Sequence, residues 1–350
     1  MYYDSMSVDI LLDSSSFGGI ETHVYELASG LYKQGIDVRV VFYCDHGEHP
    51  LRDRLHAKGM MTVMLDGTMS SLGNYLKHRN PSIVHTHGYK AGIIGRLLCR
   101  WHGIAIVSTY HAGEIPSGKL AVYDWLDRST SWLADKVYAV SDLIAGRLSP
   151  RTEVIRNFID TSASHASRGE HVAFVGRLSH EKGPDLFVSA ARLMPGITFH
   201  VYGDGPMMKE LTMIAPGNVI FHGHRSNMSS TWDEISLLVM PSRYEGLPMA
   251  ALEAMSKGIP VISNRVGAMD KLISDGGNGW ILDSLDPYRY AEKVNQWLQL
   301  DEVSRKRIRK SAMRTIDDGY STTAIIPQLL DDYRSLRPHF KAHRILHNIR

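Results

Sequence analysis

The feature that most constrains this chain is a regular alternation of short apolar, often β-branched runs with longer amphipathic stretches. Such apolar runs are too short for core helices and read as strands buried on both faces. The stretches between them carry apolar residues at helical spacing, so the chain reads as βα units building parallel sheets. Strands are expected at about 7–12, 37–43, 82–86, 104–109 and 136–140, and again near 171–175, 197–202, 218–222, 236–240 and 260–263. Helices are expected at about 20–34, 90–102, 117–133 and 141–148, then near 183–194, 206–214, 248–257, 286–299 and 302–315. At 350 residues the chain should split in two. The small, polar stretch 161–169 is the expected linker. The expected fold class is therefore α/β, two Rossmann-like doubly wound domains facing across a cleft, residues 1–160 and 161–320. Residues 321–350 should add a last helix, Thr322–Tyr333, crossing back to the first domain, and a basic tail.

Two glutamates eight positions apart, Glu245 and Glu253, bracket a turn and the start of a helix. Pro248 suits a first helical position, and Gly258 and Pro260 mark the helix end and the next strand. Free N–H groups at a helix start favour an anion. A carboxylate, an anion site and a second carboxylate suit a ligand carrying both phosphate and hydroxyls, as a nucleotide-sugar does. The segment 172–183 runs from a buried strand into a loop with Arg177 and Lys182. Arg177 can grip a diphosphate through two N–H groups, and Lys182 adds a compact positive charge. Either cation alone reads as a solvated loop residue; their place straight after a strand favours the binding role. Gly18 and Gly19 follow the first strand and open a helix, where paired glycines let backbone approach a phosphate or a sugar. Neither this segment nor Gly203-Asp204-Gly205 completes a dinucleotide fingerprint, and no P-loop occurs.

Quoted in order, the pieces Phe-Gly-Gly-Ile-Glu (17–21), Val-Gly-Arg-Leu-Ser-His-Glu-Lys-Gly (175–183), Tyr-Gly-Asp-Gly-Pro (202–206), Pro-Ser-Arg-Tyr-Glu-Gly-Leu-Pro (241–248), Leu-Glu-Ala-Met (252–255) and Asn-Gly-Trp (278–280) resemble the retaining glycosyltransferases of the GT-B fold, family 4. The resemblance covers most of the chain and is strongest from about 171 to 283. It implies that Arg177 and Lys182 hold the donor diphosphate, that Glu253 binds ribose hydroxyls, and that Glu245 touches the transferred sugar. Backbone near Gly246, Leu247 and Met249 would reach the phosphates, and Gly18 and Gly19 would close over them from the other domain. His111, in Ser-Thr-Tyr-His-Ala-Gly (108–113), matches a family histidine beside sugar and phosphate. Backbone around His224 and Arg225 is a looser match for base contacts. Pro248 stands where many members carry glycine, removing one backbone donor, and Asp270 replaces a more usual glutamate.

The chain contains no Asp-x-Asp pair, so arginine, lysine and a helix dipole are expected to replace a metal, and no cofactor is expected beyond the nucleoside-diphosphate sugar itself. Retention without an evident carboxylate nucleophile implies, through the resemblance, front-face attack with the leaving phosphate taking the acceptor's proton. The acceptor implied by family breadth is a glycan or a lipid-linked saccharide. The alternatives are an epimerase on the same fold and a non-catalytic sugar-nucleotide-binding scaffold. A nicotinamide dehydrogenase is the weakest rival, since the glycine fingerprint fails in both halves.

A net charge of +2 gives no reason to expect nucleic-acid binding. Two cysteines, Cys44 and Cys99, have no metal spacing and point to a reducing compartment. Asp4, Asp9 and Asp13 interrupt any signal-like start, and no apolar run approaches a membrane span. The expected location is cytoplasmic, with contact to the inner face of an anionic membrane through two basic elements. One is the helix 90–102, for which a core-facing helix with a solvated basic face is the duller alternative. The other is the tail 334–350, with five Lys/Arg and no acid, for which a frayed, solvated C-terminus is the equal alternative. His85 and His87 point to one side of a strand as metal ligands do, but without a third ligand they read as structural or substrate-lining.

Overall fold

The structure is a computed structural model that describes residues 6–15, 17–111, 118–225 and 228–336. It divides into two compact units. The first comprises residues 1–157 with the segment from Thr322 onward, and the second runs from Phe158 to Ser321.

The first unit is built on seven parallel strands: β1 (Ser7–Leu12), β2 (Asp37–Phe42), β3 (Met61–Met64), β4 (Ile83–His87), β5 (Ala105–Tyr110), β6 (Lys136–Ala139) and β7 (Glu153–Val154), in the order β3-β2-β1-β4-β5-β6-β7. β4 and β5 are buried along their whole length, as strands covered on both faces must be. The helix Gly19–Lys33 buries Val24, Leu27, Ala28 and Leu31. Its Gly30 is a packing glycine, since a Cβ there would lie 2.6 Å from Thr322 Cγ2 and 2.7 Å from Ile326 Cγ1. The helix Thr322–Ser335 seats against it at that point. Chain order reverses between β1 and β4, and in an open parallel sheet ligands bind at the carboxyl ends of the strands beside such a reversal.

The second unit is a six-stranded parallel sheet of β8 (His171–Val175), β9 (Phe199–Tyr202), β10 (Val219–Gly223), β11 (Ile235–Met240), β12 (Val261–Asn264) and β13 (Gly279–Leu282), in the order β10-β9-β8-β11-β12-β13. Its two faces carry separate cores. One is built on Phe174, Phe187, Phe199, Trp280 and Trp297, the other on Leu238, Leu252, Met255 and Met269. Here the reversal lies between β8 and β11.

The expected α/β class with two parallel sheets is what is found, with several local corrections. The short strands Met61–Met64, Glu153–Val154 and Gly279–Leu282 and the helices Pro50–Ala57 and Met69–Arg79 have no counterpart in the sequence reading. The stretch 117–133 is a helix only over Lys119–Ser129, followed by a 3-10 turn at Ser131–Leu133.

Candidate functional site

The loops leaving β8 and β11 meet at the reversal point of the second unit. Lys182 Nζ donates to Glu245 Oε1 at 2.6 Å, and Ser242 Oγ donates to the same oxygen at 2.9 Å. The Glu245 side chain is 6% exposed and that of Lys182 30%, so the carboxylate is sheltered while the ammonium keeps a face to solvent. The two loops are braced against each other. The N–H of Arg243 donates to the carbonyl of Glu181 at 2.8 Å. Its guanidinium makes a forked pair with Asp185, Nη1 to Oδ1 at 2.9 Å and Nη2 to Oδ2 at 2.7 Å. That pair holds the Asp185 carboxyl below its ordinary range against the opposing effect of burial. Gly183, at φ +68°, lets the backbones approach, since a Cβ there would sit 2.1 Å from the carbonyl oxygen of Pro241.

Gly203 and Gly205 serve the same end. A Cβ on Gly203 would lie 1.9 Å from the carbonyl oxygen of Gly176, and one on Gly205 would lie 2.5 Å from that of Leu178. These glycines hold the β9 loop tightly under the Arg177 loop, whose Leu178 N–H donates to Asp204 O at 3.0 Å. From the other side, Asn264 Nδ2 donates to Ser242 O at 3.0 Å and Ala268 N–H to Gly246 O at 2.9 Å. Arg177 itself is exposed.

The helix after Glu245 runs Met249–Ser256. Pro248 is its N-cap in extended conformation (φ −72°, ψ 133°) and not its first helical residue, so the expected position shifts by one. Glu253 is the fifth residue of that helix, and its Oε2 accepts a hydrogen bond from the Trp232 indole at 2.9 Å. Gly246 is exposed, Leu247 is 3% exposed in the core, and Met249 is half-buried. His224 and Arg225 are exposed just past β10, where Arg225 Nη2 lies 3.3 Å from His222 Nδ1.

In the first unit the carboxyl ends of β1, β4 and β5 carry a histidine cluster. Gly18 caps the helix Gly19–Lys33. Its N–H donates to Glu21 Oε2 at 2.8 Å, and Glu21 Oε1 accepts from Ser14 Oγ at 2.6 Å. Gly18 and Gly19 are exposed, and a Cβ on Gly19 would meet open space. One turn on, His23 sits edge-on to His111, ring centroids 4.9 Å apart, while its Nδ1 lies 3.1 Å from Asn157 Oδ1. His87 Nδ1 lies 2.9 Å from His111 Nε2. His85 is held at both nitrogens, by Tyr333 Oη at 2.5 Å and Thr109 Oγ1 at 2.7 Å. Burial pushes these imidazoles down, to about 4 for His23 and about 3 for His85, with His87 and His111 well below the ordinary value. All four are neutral at pH 7.

The third ligand missing beside His87 in the sequence is thus supplied by the fold: among the described residues, ligand atoms of His23, His87 and His111 lie within 4.8 Å of one another. The 2.9 Å separation of His87 and His111 is nevertheless that of a hydrogen bond. Two imidazoles on one tetrahedral zinc, with bonds of about 2.0–2.1 Å, keep their nitrogens about 3.3 Å apart.

The solvated basic face expected on the helix 90–102 needs correction at one residue: Lys90 and Arg100 keep 41% and 40% of their side chains exposed, but Arg96 is fully buried and paired with Asp127 at 2.6 Å. Aromatic side chains stand out beside it: Trp101, Trp132 and Trp125 are 85%, 75% and 61% exposed. No helix among the described residues is long and apolar enough to cross a membrane. Ser16, Ala112 and Gly113 of the sequence motifs, and tail residues 337–350, lie outside the described residues. Trp232, Ser242, His23 and the Arg243–Asp185 pair were not singled out from sequence. Only the spacing of His23 behind Gly18-Gly19 offered a signal.

Two family models match this chain: "Glycosyl transferases group 1" over residues 156–315 and "Glycosyltransferase Family 4" over 17–163. A UDP-Gal:alpha-D-GlcNAc-diphosphoundecaprenol alpha-1,3-galactosyltransferase of Escherichia coli is 26% identical over 308 residues, covering 76% of this chain and 78% of that protein. A glycogen synthase of Mycobacterium tuberculosis is 26% identical, covering 88% and 89%. Among solved structures, HepE of Anabaena in complex with UDP superposes with a TM-score of 0.81 at 18% identity, covering 94% of this chain and all of that one. Sucrose-phosphate synthase of Thermosynechococcus elongatus does so at 0.78 and 17%, covering 95% and 99%. These likenesses establish the GT-B fold. With the two models together spanning residues 17–315, the chain belongs to the group 1, family 4 glycosyltransferases.

Proposed function

We propose that this protein is a metal-independent, retaining glycosyltransferase that moves a sugar from a nucleoside-diphosphate sugar to a glycan or lipid-linked saccharide. The observation that carries this reading is the Lys182–Glu245 pair at the β8/β11 reversal, with Glu253 on the helix that follows. Lys182 has donors left over after bonding Glu245, and with exposed Arg177 it would neutralise the diphosphate as it leaves. Glu245, sheltered and fixed by two hydrogen bonds, would receive sugar hydroxyls. Glu253, oriented by Trp232, would take the ribose. The backbone N–H groups of Gly246, Leu247 and Met249 would face the phosphates at a helix start. The lack of an Asp-x-Asp pair and the presence of these cations support a reaction without a metal.

In the reaction we propose, the acceptor oxygen attacks the anomeric carbon on the face the diphosphate leaves. The carbon–oxygen bond to phosphate breaks, and the acceptor's proton passes to the departing phosphate oxygen. His111 would stand beside the sugar. Uridine is the base to try first, because the Escherichia coli relative is named for UDP-Gal and HepE was solved with UDP and with UDP-glucose. We further propose cytoplasmic action at the inner membrane face, supported by exposed Trp101, Trp125 and Trp132, since indoles favour the boundary between lipid and water.

The test is a thermal-shift series with UDP, GDP, ADP and their sugar conjugates in EDTA, followed by anomeric analysis of the transfer product. Ligands that bind only the folded state raise the melting temperature. A shift with one nucleotide family kept in EDTA, and a product with the donor's anomeric configuration, are the expected results. No shift with any nucleotide would move a scaffold role to the front, and loss of the shift in EDTA would end the metal-free reading.

A further inference from the structure

We propose that His87 is the positioning residue of His111: its Nδ1–H donates to His111 Nε2, fixing His111 as the tautomer that carries its proton on Nδ1 and presents that N–H to the ligand. The proposal rests on the reading above that His111 stands beside the donor sugar.

The two nitrogens are 2.9 Å apart and share one proton. Two directions are open, and the surroundings of His87 decide between them. If His111 donated, the proton of His87 would sit on its own Nε2. That atom is fully buried and has no hydrogen-bond partner among the described residues. Buried N–H groups with no acceptor are rare in folded proteins, rarer than under-satisfied acceptors. In the assigned direction His87 Nε2 carries only a lone pair. The greater cost of a stranded donor favours this direction.

His111 differs from its neighbours in exposure. His23, His85 and His87 are 0%, 0% and 1% exposed, whereas His111 is only half-buried. With Nε2 committed to His87, its Nδ1 is the atom left to meet a ligand. The rings are also locked in place. His23 packs edge-on to His111 with an interplanar angle of 74°. His85 lies 4.5 Å from His87 between centroids and is itself pinned by Thr109 and by Tyr333 of the helix Thr322–Ser335. A neutral, oriented N–H can donate to a sugar hydroxyl or phosphate oxygen without competing for the acceptor's proton.

The test has two parts. On the full chain labelled with 15N-histidine, long-range 1H–15N spectra read each tautomer with no substrate present. The expected result is a bare, pyridine-type Nε2 and a protonated Nδ1 on His111, and a protonated Nδ1 on His87. A protonated Nε2 on His111 overturns the proposal. Joint displacement of His23, His87 and His111 signals at stoichiometric Zn2+ also overturns it, in favour of a metal site.

In the second part, His87→Asn keeps an amide N–H at the place of Nδ1, whereas His87→Gln moves it away and His87→Leu removes it. The Asn variant should keep transfer kcat within about threefold, and the other two should lose about 10- to 100-fold with little change in donor KM. Equal kcat in all three folded variants, or equal loss in all three, refutes the positioning role. The spectra speak to the tautomer even if no transfer occurs, so failure of the transferase reading and failure of this one are separable.

Discussion

Replacing Lys182 by alanine tests the diphosphate assignment and can be worked through from the structure. The ammonium is 2.6 Å from Glu245 Oε1, and the carboxylate it neutralises is 6% exposed. Removing the cation leaves that carboxylate accepting a hydrogen bond from the Ser242 hydroxyl. Breaking a fully buried ion pair costs about 3–5 kcal/mol. Lys182 keeps 30% of its side chain in water, which screens the pair, so about 1–2 kcal/mol is the expected loss. For a unit of this size that lowers Tm by roughly 2–8 °C. Catalysis should suffer far more, since removing one preorganised group that stabilises developing charge costs about 10²–10³ in kcat. Glu245→Gln in the same background removes the stranded charge and should restore part of the lost Tm without restoring turnover. Tm by calorimetry and kcat with a saturating donor, measured on the single and double variants, separate the two effects. A folded Lys182→Ala enzyme with kcat within threefold of wild type would sink the assignment.

Other consequences can be checked alongside it. Trp232→Phe removes the indole donor that orients Glu253 but keeps an aromatic ring in the core, so donor KM should rise about 5- to 10-fold with a smaller change in kcat; unchanged KM would free Glu253 from the ribose role. Acid should destabilise the first unit through its buried neutral histidines. Their folded values lie below the unfolded 6.5, so the unfolded chain binds more protons as pH falls through 6.5, and stability drops until the folded values are passed. For His23, at about 4, this amounts to ~3 kcal/mol lost between pH 6.5 and 4, and His23→Asn should flatten that slope in urea melts taken across this range. Trp101→Ser combined with Trp132→Ser should weaken flotation with anionic vesicles severalfold while leaving transfer to a soluble acceptor intact; equal flotation would remove membrane contact from these side chains.

Much of the fold was legible locally. Strands such as Ser7–Leu12 and Ile235–Met240 announce themselves because both faces are buried and most of their residues are apolar, with Ser7, Asp9 and Ser236 the polar exceptions. Met61–Met64 gave no such signal because it is a partly exposed edge strand whose place is set by pairing with β2. The helix Pro50–Ala57 buries only Leu51 and Leu55 and so shows little periodicity. Arg96 misled for the opposite reason. A cation on a helix reads as solvated unless its partner is known, and Asp127 lies 31 positions away.

The sequence alone determines parallel α/β domains and a set of residues that includes Arg177, Lys182 and Glu245 on loops after strands and Glu253 on the helix that follows. Its motifs carried the family resemblance. Only tertiary structure decided who touches whom. Lys182 and Glu245 are 63 positions apart, and they meet because β8 and β11 are neighbours in a sheet whose order departs from chain order. His23, His87 and His111 likewise converge from a helix start and the ends of two strands. Periodicity reports which face of an element is buried, but hydrogen bonds and ion pairs act over about 3 Å. Which groups come that close depends on strand order and loop packing, and neither is written in local spacing.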